Sequence, residues 1–228
     1  MLRAPRAERL TISGPAGGLE ALIEIPVPQG SEAPPVPAFG VLCHPHPLYG
    51  GTMDNKVVHT LARAFEARGA PAIRFNFRGV GSSAGSYAEG RGETEDALAV
   101  IAFGRARWPQ AALWLGGFSF GGAVAVLAAA SAAPARVVLI APGVTKIDVT
   151  AAPPPACPWL IVQGDQDEVV PADFVLGWAR GLEPPPQVVL MPGAGHFFHG
   201  RINELRDLIV GFDPAYRRPG APLRAPPQ

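Results

Sequence analysis

Short runs of β-branched and aromatic residues alternate with longer amphipathic segments along most of the chain, and this alternation restricts the fold more than any other feature. Leu10 to Ser13 and Leu19 to Pro26 read as two short strands joined by Gly14-Pro15-Ala16-Gly17-Gly18, a hairpin at one sheet edge. Residues 27–37 read as a Pro-rich connection. Further strands follow at Phe39 to Cys43, Ala72 to Phe77, Ala112 to Gly116, Val137 to Ala141, Leu160 to Gln163 and Val188 to Met191. Between them, Met53 to Arg68, Glu93 to Trp108, Phe120 to Ala133 and Pro171 to Gly181 read as helices, the last starting on proline, where a missing amide costs nothing. Ile202 to Phe212 reads as a closing helix. Strands separated by helices require right-handed crossovers, so the expected class is α/β: a mostly parallel sheet of about eight strands, the first two antiparallel, with helices on both faces. With 228 residues, one domain over 1–212 is expected, followed by a Pro- and Arg-rich tail over 213–228.

Charge narrows the function classes. Nineteen basic and nineteen acidic side chains cancel, which argues against a dedicated nucleic-acid or anionic-membrane surface, since both need a positive surplus. The N-terminal stretch Met1 to Leu10 carries three arginines and no apolar core of a secretory signal, and no apolar stretch approaches a membrane span. A cytoplasmic protein is therefore expected. Cys43 and Cys157 are too few for a disulfide scaffold or a structural zinc site. Two strands should separate them, about 14 Å in all at ~4.8 Å per step, beyond the ~7 Å that a disulfide spans.

Chemistry in such a sheet gathers on loops at the carboxyl ends of the strands. The first candidate loop is Gly117-Phe118-Ser119-Phe120-Gly121, which follows a strand directly and opens directly into a helix. A nucleophile on so sharp a turn needs glycines beside it, and the helix N-terminus favours developing negative charge. Gly81-Ser82-Ser83-Ala84-Gly85 has the same pattern, but Ser83 is cut off from its strand by Arg78-Gly79-Val80-Gly81 and no helix follows at once. Ser119 is the better nucleophile. The same glycines lack the spacing and the helix of a dinucleotide site. The second loop, Gly164 to Pro171, offers Asp165 and Asp167 as carboxylates to orient a histidine, with helix capping as their alternative role. The third, Pro192-Gly193-Ala194-Gly195-His196, places His196 in a Gly-rich loop after the last strand.

Serine, acid and histidine in that chain order are the arrangement of α/β-hydrolases. The chain resembles the small, lidless bacterial α/β-hydrolases related to dienelactone hydrolases, from about Leu10 to Phe212. The resemblance rests on the three loops, on Cys43-His44-Pro45-His46-Pro47-Leu48-Tyr49-Gly50-Gly51-Thr52-Met53-Asp54-Asn55-Lys56, and on Phe75-Asn76-Phe77-Arg78-Gly79-Val80-Gly81-x-Ser83-x-Gly85. It implies an α/β-hydrolase fold and a catalytic triad of Ser119, His196 and Asp167, the last matching G-x-x-D-x-x-V-P. One departure stands out. Many relatives carry His-Gly after the third strand, where an amide helps form the oxyanion hole; here the segment is His44-Pro45-His46-Pro47, and proline has no N–H. The aligned donor is the His46 amide, with Leu48 as fallback, and the Phe120 amide is the second.

The His44 and His46 side chains serve either loop packing or function. A metal site from His44, His46 and His199 lacks supporting carboxylate or cysteine spacing, so neither metal nor cofactor is expected. Only about fifteen residues, Val144 to Pro158, separate the sixth and seventh strands, which leaves no room for a lid. The expected pocket is shallow, lined by Leu48, Tyr49, Phe118, Phe120 and Phe197, and the expected substrate a small or short-acyl ester. Thioester, lactone and peptide hydrolysis on the same triad, or a non-catalytic binding scaffold, are the alternatives.

Overall fold

The computed structural model describes residues 3–27, 36–150 and 152–212. Most of the expected Pro-rich connection and the whole tail over 213–228 lie outside the described residues. Eight strands form one sheet: β1 (Arg3–Gly14), β2 (Gly17–Val27), β3 (Ala38–Cys43), β4 (Ala72–Phe75), β5 (Ala112–Phe118), β6 (Arg136–Ile140), β7 (Trp159–Gly164) and β8 (Gln187–Met191). Their order is β1-β2-β4-β3-β5-β6-β7-β8. β1 and β2 pair antiparallel, β2 pairs antiparallel with β4, and every other pairing is parallel. The parallel strands β3 to β7 are almost wholly apolar because both of their faces are covered.

Among the described residues five α-helices cover the sheet: α1 (Lys56–Ala67), α2 (Arg91–Arg107), α3 (Phe120–Ala132), α4 (Ala172–Arg180) and α5 (Ile202–Val210). Two cores result. On one face, Val100 and Ile101 of α2, the alanine-rich α3 and Val175 of α4 pack on Val41, Leu115, Leu139 and Ile161. On the other, Leu61 and Phe65 of α1 and Leu205 and Ile209 of α5 pack on Leu42, Val138, Ile140 and Leu160. Among the described residues no helix lies between β6 and β7, and none is long and apolar enough to cross a membrane.

Several boundaries differ from those expected. β1 and β2 are 12 and 11 residues long, joined by a two-residue turn at Pro15-Ala16, because continuous pairing from Arg6↔Ile25 to Gly14↔Gly17 carries the polar ends of both strands. α1 starts at Lys56 rather than Met53. The Met53 amide donates to Asn76 Oδ1 (2.8 Å), and the Asn55 side chain caps the helix by accepting from the Val57 amide (2.9 Å). α2 starts two residues early because Glu93 reaches back to the Gly90 amide (2.8 Å). Pro171 stands before α4 as its cap, in extended backbone, rather than within its first turn.

Candidate active site

Ser119 follows β5 with no intervening residue. Its backbone lies at φ 54°, ψ −120°, a conformation that residues with side chains rarely adopt and that costs of order 1–3 kcal/mol. The adjoining glycines make it possible. A β-carbon at Gly117 would stand 2.1 Å from the Gly121 carbonyl oxygen, and one at Gly121 would stand 2.3 Å from the Cys43 carbonyl oxygen. Both obstacles are backbone and cannot swing aside, so only glycine lets this strand become a helix across a single residue.

The β7 and β8 loops bring two partners to the serine. His196 Nε2 lies 3.1 Å from Ser119 Oγ, and His196 Nδ1 lies 2.8 Å from Asp167 Oδ2. All three side chains are buried. Asp167 Oδ1 accepts hydrogen bonds from the amides of Val169 (2.9 Å) and Val170 (2.7 Å), and Oδ2 accepts a second one, from Gln163 Nε2 (3.0 Å). Burial pushes the Asp167 carboxyl upward. The His196 hydrogen bond, the Val170 and Val169 amides and the attraction of the imidazole together outweigh it and hold the group below the usual aspartate range. An ionised carboxylate can only accept, so Nδ1 carries the imidazole proton and Nε2 turns its lone pair to the Ser119 hydroxyl. Hydroxyl proton to imidazole, with charge balanced by the carboxylate, is a transfer this geometry can perform.

The alternatives are engaged elsewhere. Asp165 Oδ1 accepts from the Gly193 amide (2.6 Å) and so clasps the β7 and β8 loops together without touching His196. The Ser83 hydroxyl is buried, donates to the Asn76 carbonyl (2.7 Å) and accepts from the Glu20 amide (2.9 Å). Among the described residues no imidazole reaches it.

Among the described residues the amides of His46 and Phe120 have no hydrogen-bond partner, while the Leu48 amide donates to His46 Nδ1 (3.2 Å). Of the two donors considered after β3, His46 is thus the one left open. The ring of His44 fixes that peptide. Its Nδ1–H donates to the Pro45 carbonyl (2.6 Å) and its Nε2 accepts from the Phe77 amide (3.0 Å). The Pro45–His46 peptide is trans, so holding its carbonyl aims the His46 N–H the opposite way. His44 is therefore a satisfied loop residue, and both of its nitrogens are committed to the protein.

Burial pushes the His44 pKa down from 6.5 to about 4. Between those values the unfolded chain binds a proton that the folded chain refuses. The stability contributed by neutral His44 is therefore present above about pH 6.5 and is lost as pH falls toward 4, by about 3 kcal/mol. Denaturant unfolding of wild type and His44→Gln will show the wild-type advantage shrinking by about that amount from pH 7 to pH 4. A constant advantage would refute the linkage.

The expected pocket needs correcting. Leu48 and Tyr49, on the loop of His46, and Phe197, against the His196 ring, are exposed, but Phe118 and Phe120 are buried and are not lining residues. Strand alternation turns Phe118 into the core beneath the imidazole, its ring centroid 4.9 Å from that of His196, and Phe120 faces the core under α3. Two half-open surface hollows among the described residues, about 340 and 280 Å³, are lined by other residues, such as Arg63 and Glu66 or Val126 and Trp178. The site is an open one. Sequence reasoning missed Gln163, though a lone amide ending the buried run Leu160-Ile161-Val162 was a signal.

A family model described as serine aminopeptidase S33 matches residues 48–157. The chain is 31% identical over 211 residues to an uncharacterised protein of Rickettsia prowazekii, covering 88% of this chain and 86% of the relative. Among solved structures, an α/β serine hydrolase without a lid from Xanthomonas campestris shares 41% identity at TM-score 0.84, over 92% of this chain and 94% of that one. An α/β serine hydrolase homologue from Coxiella burnetii shares 47% identity at TM-score 0.83, over 89% and 95%.

Proposed function

This chain belongs to the α/β serine hydrolases that lack a lid, and on that premise we propose that it cleaves small or short-acyl carboxylic esters through Ser119, His196 and Asp167. The observation carrying this reading is the buried relay from Ser119 Oγ to His196 to Asp167, mounted on a strained bend. His196 Nε2 takes the hydroxyl proton as Ser119 Oγ attacks the ester carbonyl, and Asp167 balances the imidazolium. The carbonyl oxygen, now negative, is received by the amides of His46 and Phe120, donors that need no reorganisation. His196 then returns the proton to the departing alkoxide. In the second half, water loses a proton to His196 and attacks the acyl-serine; His196 returns that proton to Ser119 Oγ as the acid is released.

Substrate size follows from the surroundings. Among the described residues the β6–β7 connection carries no helix, and Leu48 and Tyr49, on the loop of His46, are 67% and 86% exposed, so a long chain finds little to enclose it. Among p-nitrophenyl esters, kcat/KM should be highest for acetyl to butyryl chains and fall beyond about eight carbons. Preference for palmitate would overturn the size assignment. Because the matching family model is described as an aminopeptidase, aminoacyl p-nitroanilides belong in the same series. Cleavage of these faster than of the esters would move the assignment to peptide bonds.

A further inference from the structure

The connection from β4 to α2 carries Tyr87 to the oxyanion side of Ser119. Its ring lies 5.0 Å from the His46 ring and 5.9 Å from the Phe120 ring, centroid to centroid, and the side chain is only partly buried. Its hydroxyl oxygen stands 3.2 Å from His46 Nε2. The direction of that hydrogen bond is decided on the far side of the imidazole. His46 Nδ1 accepts from the Leu48 amide, and burial lowers the ring's pKa and favours its neutral form, so the single ring proton sits on Nε2. Nε2–H therefore donates to the Tyr87 oxygen, and the phenol's own proton must be given to something else. Among the described residues no acceptor takes it. Burial and the nearby Glu93 and Glu89 carboxylates keep that phenol protonated.

Which half of a substrate meets this donor follows from the sheet order. β5, which presents Ser119, has β3 and β4 on one side and β6, β7 and β8 on the other. His196 arrives from the β8 side and must protonate the leaving alcohol, so the alcohol lies on that side. The acyl group is left with the Tyr87 side. Building on the ester-hydrolase reading above, we propose that the Tyr87 hydroxyl is a specificity contact that donates a hydrogen bond to an oxygen carried by the acyl chain. The preferred acyl groups are then oxygenated ones, bearing a hydroxy or alkoxy substituent close to the carbonyl, rather than plain alkanoyl chains.

Two esters of nearly equal shape test this, p-nitrophenyl methoxyacetate and p-nitrophenyl butyrate, which differ by one ether oxygen in place of a methylene. Each is measured with wild type and Tyr87→Phe. The substitution should lower kcat/KM for the methoxyacetate about fivefold to tenfold and leave the butyrate within twofold. Comparing each ester across the two proteins cancels the greater intrinsic reactivity of the alkoxy ester. Equal losses on both esters would reduce Tyr87 to a prop for His46 and overturn the proposal, as would no change on either. If wild type hydrolyses neither ester in a Ser119-dependent way, the ester-hydrolase reading itself fails and takes this proposal with it.

Discussion

Ser119→Ala will lower turnover of the best ester by roughly 10⁴-fold or more and leave the chain folded. The alanine keeps the β-carbon that the bend already accommodates and removes only the oxygen that His196 addresses. Some catalysis should survive, because the His46 and Phe120 amides still polarise a bound carbonyl. Covalent capture by a fluorophosphonate probe should vanish with this variant. It should persist in Ser83→Ala, which instead will melt at a lower temperature, since the Glu20 amide then loses its buried acceptor. Labelling that survives Ser119→Ala would overturn the assignment of the nucleophile.

Asp167→Asn is the second large effect, about 10⁴-fold in kcat. Asn has one oxygen and one nitrogen where Asp has two acceptors. The amides of Val169 and Val170 claim the oxygen, so the Asn nitrogen must face His196 Nδ1. An amide N–H there makes Nδ1 an acceptor, moves the ring proton to Nε2 and leaves nothing to receive the Ser119 proton. The same nitrogen would also meet Gln163 Nε2, another donor. Loss of activity should therefore come with an imidazole proton on Nε2 rather than Nδ1, which nitrogen-15 NMR of the histidine reads directly. A variant with full activity would show that Asp167 does not set the tautomer.

What the sequence revealed and what it withheld divide along the range of the forces involved. Strand and helix order was legible because it follows from local periodicity, and the bend at Ser119 was legible because Gly117 and Gly121 announce a steric need within five residues. The start of α1 was not: the Met53 amide is claimed by Asn76, 23 residues away. The polar ends of β1 and β2 were missed because strand pairing overrode weak local preference. Phe118 was misread as lining although alternation along β5, counted one residue further, turns it inward. Neither aspartate of the β7 loop differs from the other in composition. They diverge because Asp165 is drawn to the Gly193 amide and Asp167 to the Val169 and Val170 amides, contacts that only the folded loops create. Tyr87 acquires its setting from His46, 41 residues earlier, across a segment with no periodicity at all.

The backbone at Ser119 bears on how this protein trades durability for reactivity. A glycine could relax into that left-handed geometry where a serine is held against its preference. The chain thus tolerates tension at the very residue whose hydroxyl it must present, and its sturdiest version would be one that can no longer react. Hardening such an enzyme by substitution should begin far from this corner, in the helix surfaces and the hairpin edge, where order can be added without blunting the chemistry.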